Sequence, residues 1–134
     1  MAKLEGPVLE FLQQQRFGVL ATINRDGTPQ QSVVWYVVDG DEIMMNTAAG
    51  RVKERNLRRD ARLSLCVEGE YHYVTVAGTA TLVDDQTVAQ ADIRRLAVLN
   101  HGAERGNLQA DTSFSKQQRV TIRLRVERVV ADLD

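Results

Sequence analysis

The chain has 134 residues, of which 43% are apolar, and a formal net charge of −1. This length and composition predict one domain, 1–134, with one buried core, and a chain that is not a general nucleic-acid binder. The sequence has no apolar stretch long enough to cross a bilayer and no apolar signal segment after Met1, so we expect a cytoplasmic protein with no membrane partner.

The first part of the chain predicts a short helix followed by a β-meander. Gly6 to Gln15 places apolar residues at helical spacing, and the pattern then alternates from Phe17 to Ile23, as in a strand. An Asp-Gly pair at 26–27 supplies the positive φ that a hairpin turn needs. A second strand from about Gln30 to Val38 is dense in β-branched and aromatic residues, and a third runs from Glu42 to Thr47.

The middle of the chain predicts a helix, two more strands and a second long helix. The helix spans Gly50 to Arg59, and the strands span Ala61 to Val67 and Tyr71 to Val83. The long helix runs from about Asp85 to Asn100, with Asp84 or Asp85 as its N-cap. Its inner stripe is predicted from helical spacing and consists of Ala89, Ile93, Leu96 and Ala97.

The last part of the chain predicts a mobile loop and a final strand. Gly102 to Lys116 shows little periodicity and contains two glycines, which favours a loop. In the final strand, apolar residues at 120, 122, 124 and 126 alternate with polar ones. The elements together predict a mainly β (β+α) fold, a six-stranded, partly open antiparallel barrel with short peripheral helices.

The sequence offers no catalytic side chain and no metal site. His72 and His101 stand alone, without the spacing of metal ligands, and no serine has a histidine base beside it in the sequence. Cys66, the one cysteine, lies on an apolar strand and is predicted to be a buried core thiol. If the protein is an enzyme, a bound cofactor must carry the reaction.

One segment has an unusual charge. Residues 51–62 contain six cations against two carboxylates, a local charge of +4, directly after the Asn46–Gly50 segment that joins a strand to a helix. Free amides at a helix start, the hydroxyl of Thr47 and the cations Arg51 and Lys53 suit a phosphate or a carboxylate. The same residues are also compatible with a basic helix face that only contacts solvent. Both interpretations remain open at this level.

Several motifs together resemble a known superfamily. They are Gly18–Asn24, Asp26–Gln30, Val34–Tyr36, Asn46–Thr47 followed by Arg51, Lys53 and Asn56–Asp60, and the closing segment Arg119–Val130. In this order, over nearly the whole chain, they resemble the pyridoxamine 5′-phosphate oxidase-like split β-barrel superfamily, whose fold is the FMN-binding split barrel. The short chain and the Arg-Asn-Leu-Arg-Arg-Asp run are similar to the B group of flavin/deazaflavin oxidoreductases, many of which use coenzyme F420.

The resemblance implies a homodimer with two cofactors at the subunit interface and a small-molecule substrate. It implies these cofactor-binding residues: Gln31, Ser32, Val33, Asn46, Thr47, Arg51, Val52, Lys53, Asn56, Arg58, Tyr71 and Tyr73. Thr47, Arg51 and Lys53 would surround the cofactor phosphate, and residues 31–33 would lie along the ring. Asn56 and the neighbouring arginines would approach the cofactor tail or support the loop.

Other implications concern the partner subunit and the limits of the resemblance. Tyr71 and Tyr73 match aromatic positions that flank the site from the partner subunit. Ala61 stands where proline usually follows the Arg-Arg-Asp run, which bears on a turn and not on the site. The chain lacks the C-terminal Arg-and-His signature of true pyridoxamine phosphate oxidases, so the resemblance does not imply that particular activity.

The resemblance leaves two candidate cofactors, F420 and FMN, and two candidate roles, an enzyme and a non-catalytic carrier. FMN ends in one compact phosphate, whereas the deazaflavin F420 continues through a phosphodiester into a polyglutamate tail. Six cations in twelve residues suit the longer anionic tail better, so we expect an F420-dependent oxidoreductase, with FMN as the alternative. A non-catalytic flavin or deazaflavin carrier is the second alternative. Nucleic acid is not expected, because the net charge is negative and few aromatic residues lie near the cations.

Overall fold

A computed structural model describes residues 2–15 and 17–134 of the chain. Its α-helices are α1 (Gly6–Gln14), α2 (Val52–Arg59), α3 (Gln86–His101) and α4 (Ala103–Thr112), with a short 3₁₀-helix at Phe114–Lys116. Its strands are β1 (Phe17–Ile23), β2 (Pro29–Trp35), β3 (Val37–Asp39), β4 (Glu42–Ala48), β5 (Arg62–Gly69), β6 (His72–Val83) and β7 (Arg119–Asp132). Among the described residues, no helix has the length and apolar character needed to cross a bilayer.

All seven strands form one antiparallel sheet in the order β2-β1-β5-β6-β7-β4-β3. The two edge strands, β2 and β3, are consecutive in the chain and are separated only by Tyr36. Because one residue joins the two edges, they lie side by side and the sheet curls into a split barrel. The predicted mainly β barrel with peripheral helices is confirmed.

The predicted strand count of six was wrong by one. The expected continuous strand from Gln30 to Val38 is interrupted at Tyr36, which is 2% exposed and donates a hydrogen bond from its hydroxyl to the Leu12 carbonyl oxygen at 2.6 Å. Tyr36 therefore anchors the crossing from one sheet edge to the other beneath α1. Residues with high strand propensity lie on both sides, so composition alone does not mark this break.

The barrel core follows the alternation read from the sequence. Inward-facing residues of β5 (Leu63, Leu65 and Val67) and β7 (Val120, Ile122, Leu124 and Val126) are at most 5% exposed. A smaller apolar cluster of Met44, Ile93 and Leu96, with Trp35, Val37 and Phe114 packed against it, lies between β4 and α3. This second cluster borders the candidate site described below.

Helix α3 packs across β4 and the beginning of β7. Its N-cap is Asp85, whose side chain accepts a hydrogen bond from the Thr87 backbone N–H at 2.9 Å. The predicted inner stripe is confirmed, because Ala89, Ile93, Leu96 and Ala97 are all buried. The helix also covers the face of β7 that carries Thr121 and Arg123, so Thr121 is buried and Arg123 is half-buried. The alternation of the last strand predicted that both side chains face solvent.

Two sequence-based expectations were wrong outside the strands. The predicted mobile loop from Gly102 to Lys116 is helical over most of its length, because Gly106 lets α4 pack closely on α3. A Cβ at position 106 would lie 2.6 Å from the Cα of Val98. Cys66 is exposed and is not a core thiol, since its neighbours Leu65 and Val67 point inward and an alternating strand turns residue 66 outward.

Candidate functional site

A cavity of about 320 Å³ lies where six parts of the fold meet. Its wall combines the end of β2, the end of β4, the start of α2 with the loop before it, one face of α3, the 3₁₀-helix and the start of β7. The lining residues are Val33, Val34, Trp35, Asn46, Thr47, Ala48, Arg51, Lys53, Ile93, Leu96, Phe114 and Arg119. This volume lies at the lower end of the range for small-molecule sites, about 300–1,000 Å³.

The loop into α2 is held in a defined shape by a buried carboxylate. Gly50 has φ +91°, a conformation that favours glycine, and its backbone N–H donates to Glu54 at 2.8 Å. The Arg58 Nε–H donates to the other carboxylate oxygen of Glu54, also at 2.8 Å. These hydrogen bonds hold the pKa of Glu54 below its usual 4.5. The loop therefore presents Arg51 and Lys53 to the cavity.

Three cations line the cavity without a carboxylate partner. Among the residues that the structure describes, none of Arg51, Lys53 and Arg119 forms an ion pair. Burial lowers the pKa of Lys53, and the charges of Arg51 and Arg119 lower it further. Burial and the charge of Arg51 lower the pKa of Arg119 to about 10. A bound anion would relieve this repulsion, so the arrangement suits a phosphate or carboxylate group.

Arg119 is a site residue that the sequence analysis missed. It is 6% exposed, and its Nε–H donates to the Asn46 side-chain oxygen at 2.9 Å. It pairs with Ala48 in the β4–β7 ladder and so lies beside the Asn46–Thr47 motif. The alternation in β7 predicted that the face carrying residue 119 is exposed to solvent, and the sequence does not indicate that α3 covers that face. The pairing register of β7 with β4, which places residue 119 beside this motif, is the signal that could have identified Arg119.

The rest of the cavity wall is apolar and partly aromatic. Val33 and Trp35 lie on β2, Ile93 and Leu96 on α3, and Phe114 on the 3₁₀-helix. Such a wall suits a flat ring system, whereas the cationic end suits its charged group. The cavity thus has the two kinds of surface that a ring carrying a phosphate requires.

The structure brings together five of the twelve predicted site residues, namely Val33, Asn46, Thr47, Arg51 and Lys53, which all line the cavity. Gln31 and Ser32 precede Val33 on the edge strand β2 and do not line it. Val52 is 40% exposed. Tyr71, 100% exposed, lies at the β5–β6 turn, and Tyr73, 37% exposed, lies near the start of β6. Neither residue lines this chain's own cavity.

Asn56 and Arg58 lie outside the cavity lining and make internal contacts. The Asn56 side-chain amide donates to Thr22 at 3.1 Å and to Asn24 at 3.0 Å, which ties α2 to β1 and its turn. Arg58 bridges Glu54 and Asp84. These contacts match the supporting role that the resemblance offered as an alternative to contact with the cofactor tail.

A second cavity, of about 430 Å³, opens on the outer face of β1, β5, β6 and β7. It is larger than the first, but its lining contains the carboxylate of Glu127 beside the cations Arg62 and Arg128. Arg62 pairs with Asp60 at 2.7 Å, and Glu127 belongs to the same lining and accepts a hydrogen bond from Thr79 at 3.0 Å. The smaller cavity is therefore the better candidate for an anionic ligand.

The described residues contain no group of three or more His, Cys, Asp or Glu side chains that could hold a metal ion. The lining of the 320 Å³ cavity likewise contains no histidine, cysteine or carboxylate to act as a nucleophile or general base. What this site can do chemically is bind an anion, cover a ring and limit access of water. Chemistry beyond binding would come from the ligand itself.

A curled antiparallel sheet with a cation-lined cavity at a strand-to-helix junction defines a protein of the split-barrel class. Residues 4–131 match the family model described as pyridoxamine 5′-phosphate oxidase. The chain therefore belongs to the pyridoxamine 5′-phosphate oxidase family, as its motifs indicated.

Solved structures agree with this assignment. A conserved hypothetical protein from Mycobacterium tuberculosis is 27% identical with a TM-score of 0.79, over 98% of this chain and 87% of that one. An F420 reductase is 25% identical with a TM-score of 0.75, over 94% and 98% of the two chains. The heme storage protein HutZ from Vibrio cholerae shares the fold at 20% identity, with a TM-score of 0.70 over 96% and 94%.

Proposed function

We propose that this protein is an oxidoreductase that binds the deazaflavin coenzyme F420 and transfers hydride from its reduced form to a small organic substrate. The observation that carries the proposal is the cavity in which Arg51, Lys53 and Arg119 have no carboxylate partner and face an apolar wall. A flavin or deazaflavin ring supplies the hydride chemistry, which agrees with a cavity whose described lining residues include no histidine, cysteine or carboxylate.

The cationic end of the cavity would hold the cofactor phosphate. Thr47, 4% exposed, offers a hydroxyl, and Arg51 and Lys53 offer charge-assisted hydrogen bonds. The ring of the cofactor would lie along β2, where Val33 lines the cavity and Gln31 and Ser32 precede it in the strand. Trp35 and Phe114 would cover the ring and limit the access of water.

Deazaflavin is preferred to FMN because cations continue beyond the cavity. Arg55 is exposed on α2 and has no ion-pair partner among the described residues. A tail with several carboxylates would use such charges, whereas the single phosphate of FMN would not. The 25% identity to an F420 reductase over 94% of the chain supports the same choice. FMN remains the second candidate, because the cavity suits any phosphate attached to a ring.

Heme is not proposed, although a heme storage protein shares the fold. The described residues that line the cavity include no histidine, cysteine, methionine or tyrosine, the usual axial ligands of heme iron. His101 lies near the cavity but makes an edge-to-face contact with Trp35, with ring centroids 5.1 Å apart. It is a packing partner of the cavity wall.

The proposed enzyme is a homodimer, and the outer face of the sheet is the proposed interface. One residue from each of five adjacent strands forms a row across this face through direct cross-strand pairing: Val33, Val19, Cys66, Thr75 and Val130. Val33, Val19 and Val130 are 68%, 37% and 51% exposed, so the row is largely apolar and uncovered. Val33 also lines the cavity, so a second copy on this row would reach the cavity rim.

This arrangement gives the exposed tyrosines a role. Tyr71 is 100% exposed with φ +72°, and Tyr73 pairs with Asp132 in the strand position next to the row. In a two-fold arrangement through the row, these aromatic side chains would approach the partner's cavity. Sedimentation at micromolar concentration should show twice the chain mass of 15.0 kDa. Val19→Glu, which places a charge in the row, should shift the protein to the monomer, and a wild-type monomer would contradict the interface.

The cofactor is tested by incubating the purified protein with F420 or FMN, desalting it and recording the absorbance spectrum. We expect the deazaflavin band to be retained. Retention of FMN alone would replace F420 by FMN in the proposal, and retention of neither would refute it. Oxidation of bound, reduced F420 by a panel of small electrophilic organic compounds then separates an enzyme from a carrier, because a carrier would show no turnover with any of them.

A further inference from the structure

Arg119 is a buried guanidinium for which the fold provides no countercharge. It is 6% exposed and lines the cavity with Arg51 and Lys53, and none of these three cations forms an ion pair with a described residue. Burying a charge without a partner is costly, so proteins usually pair it with a carboxylate or place an apolar residue there. A purely structural role for position 119 would not require this cost.

The neighbours of Arg119 fix its orientation without neutralising it. Its Nε–H donates to the Asn46 oxygen at 2.9 Å, and the Asn46 amide donates to the Thr121 hydroxyl at 3.2 Å. The Thr121 hydroxyl donates in turn to the Asp92 carboxylate at 2.7 Å. All three hydrogen bonds run in one direction, from the guanidinium towards the carboxylate. Asp92 thus polarises the chain of hydrogen bonds while remaining outside the lining of the cavity.

The remaining groups around Arg119 leave one side of the guanidinium available. Nη1 donates to the Gln117 side chain at 2.6 Å, and the Phe114 ring covers one face, 4.8 Å from Cζ. Nη2 has no acceptor among the described residues, and it is not one of the fully buried atoms that lack a partner. It is therefore the part of the group that a ligand in the cavity can reach.

We propose that Arg119 binds the phosphate ester of the ligand through Nη2, and that Asn46, Thr121 and Asp92 are positioning residues that aim it. A planar guanidinium held by Nε and Nη1 offers its remaining N–H groups in a fixed direction, which suits a phosphate oxygen. FMN and F420 share this chemical group, so Arg119 would serve either cofactor. The inference rests on the proposed function only in using the same cavity.

The test uses the full chain without cofactor, with inorganic phosphate as the probe. Arg119→Gln removes the charge, and Arg125→Gln is the matched control, because Arg125 is exposed on the same strand and outside the cavity. Titration followed by phosphorus-31 NMR should show phosphate binding weakened about ten- to a hundredfold in Arg119→Gln and within about twofold of wild type in Arg125→Gln. Equal binding by both variants would overturn the inference.

Two further measurements keep the inference testable if Arg119→Gln does not fold. In the wild-type protein labelled with nitrogen-15, the side-chain Nε–H resonance of Arg119 should shift in a saturable way with phosphate, and no shift would refute the contact. Thr121→Val interrupts the hydrogen bonds that aim Arg119 and should weaken phosphate binding, whereas Thr121→Ser should restore it. Unchanged binding in Thr121→Val would remove the positioning role.

These outcomes are distinct from failure of the proposed function. If Arg119→Gln retains F420 or FMN as tightly as the wild type does, the inference about Arg119 fails and the oxidoreductase proposal stands. If phosphate binding depends on Arg119 but neither cofactor is retained, the cofactor proposal fails and the phosphate site stands.

Discussion

Replacing Lys53 by methionine would test whether the basic segment is a cofactor site or a solvated helix face. Lys53 lines the cavity, whereas Arg55, two residues further along α2, is exposed. Lys53→Met and Arg55→Met remove the same charge and introduce the same side chain, one that helices accept well. Arg55 lies outside the cavity, where the proposal gives it only a weak, salt-screened attraction to the cofactor tail, so Arg55→Met is the matched control.

The expected size of the effect follows from the contact that is lost. A charge-assisted hydrogen bond in a partly buried site contributes about 1.5–3 kcal/mol, which corresponds to roughly ten- to a hundredfold in affinity. Lys53→Met should weaken cofactor binding by this factor at low and moderate salt. Arg55→Met should lower the cofactor affinity only a few-fold at low salt. Above 0.1 M salt, where the Debye length falls below about 10 Å, it should cause no measurable loss of affinity.

The assay is a fluorescence titration of cofactor into both variants and the wild type at two salt concentrations. A pH series adds a second criterion. Burial and two neighbouring cations lower the pKa of Lys53 in the free protein, and a bound anion would raise it again. Binding therefore takes up a proton at alkaline pH, and wild-type affinity should fall as pH rises more steeply than that of Lys53→Met. Binding by Lys53→Met within twofold of wild type would refute the site.

Other predictions concern the loop, the helix pair and the thiol. Glu54→Gln should lower the free energy of unfolding by about 1–3 kcal/mol at pH 7. Folding lowers the pKa of Glu54 below 4.5, so the stabilisation from its carboxylate is lost as pH falls through the pKa of the folded protein. The free energy of unfolding in urea should therefore depend less on acid pH in Glu54→Gln than in the wild type. Parallel pH profiles of the two proteins would contradict this. Gly106→Ala should push α4 away from Val98, cost about 1–3 kcal/mol and increase proteolysis within 103–116; an unchanged digest would argue against close packing. Cys66 should react rapidly with a maleimide in dilute protein and slowly at concentrations where the dimer forms; equal rates would exclude the proposed interface.

Local patterns predicted most of the fold because most elements are decided locally. The alternation in β5 and β7, the cap at Asp85 and the inner stripe of α3 each depend on spacing within one element, and the structure has all of them. The break at Tyr36 escaped prediction because it depends on contact with Leu12, 24 positions away. Helix α4 escaped for a similar reason, since Gly106 disfavours a helix by itself and is required by the packing on α3.

The site was predictable to the extent that its residues are adjacent in the sequence. Asn46, Thr47, Arg51 and Lys53 occupy one short segment and do line one cavity. Arg119 is 66 or more positions away and reaches them only through the pairing of β7 with β4. The outward position of Cys66 followed from alternation with Leu65 and Val67, but the general tendency of free cysteine to be buried outweighed that pattern.

The position of β7 in the sheet has a consequence for the order in which the molecule can assemble. This strand is the last in the chain, yet it pairs with β6 on one side and β4 on the other. During synthesis, β2-β1-β5-β6 and β3-β4 can each pair before Arg119 has left the ribosome, but nothing joins them into one sheet until β7 is made. The nascent chain therefore exposes two unpaired strand edges, and the cavity lined by Arg51, Lys53 and Arg119 can form only after β7 is made.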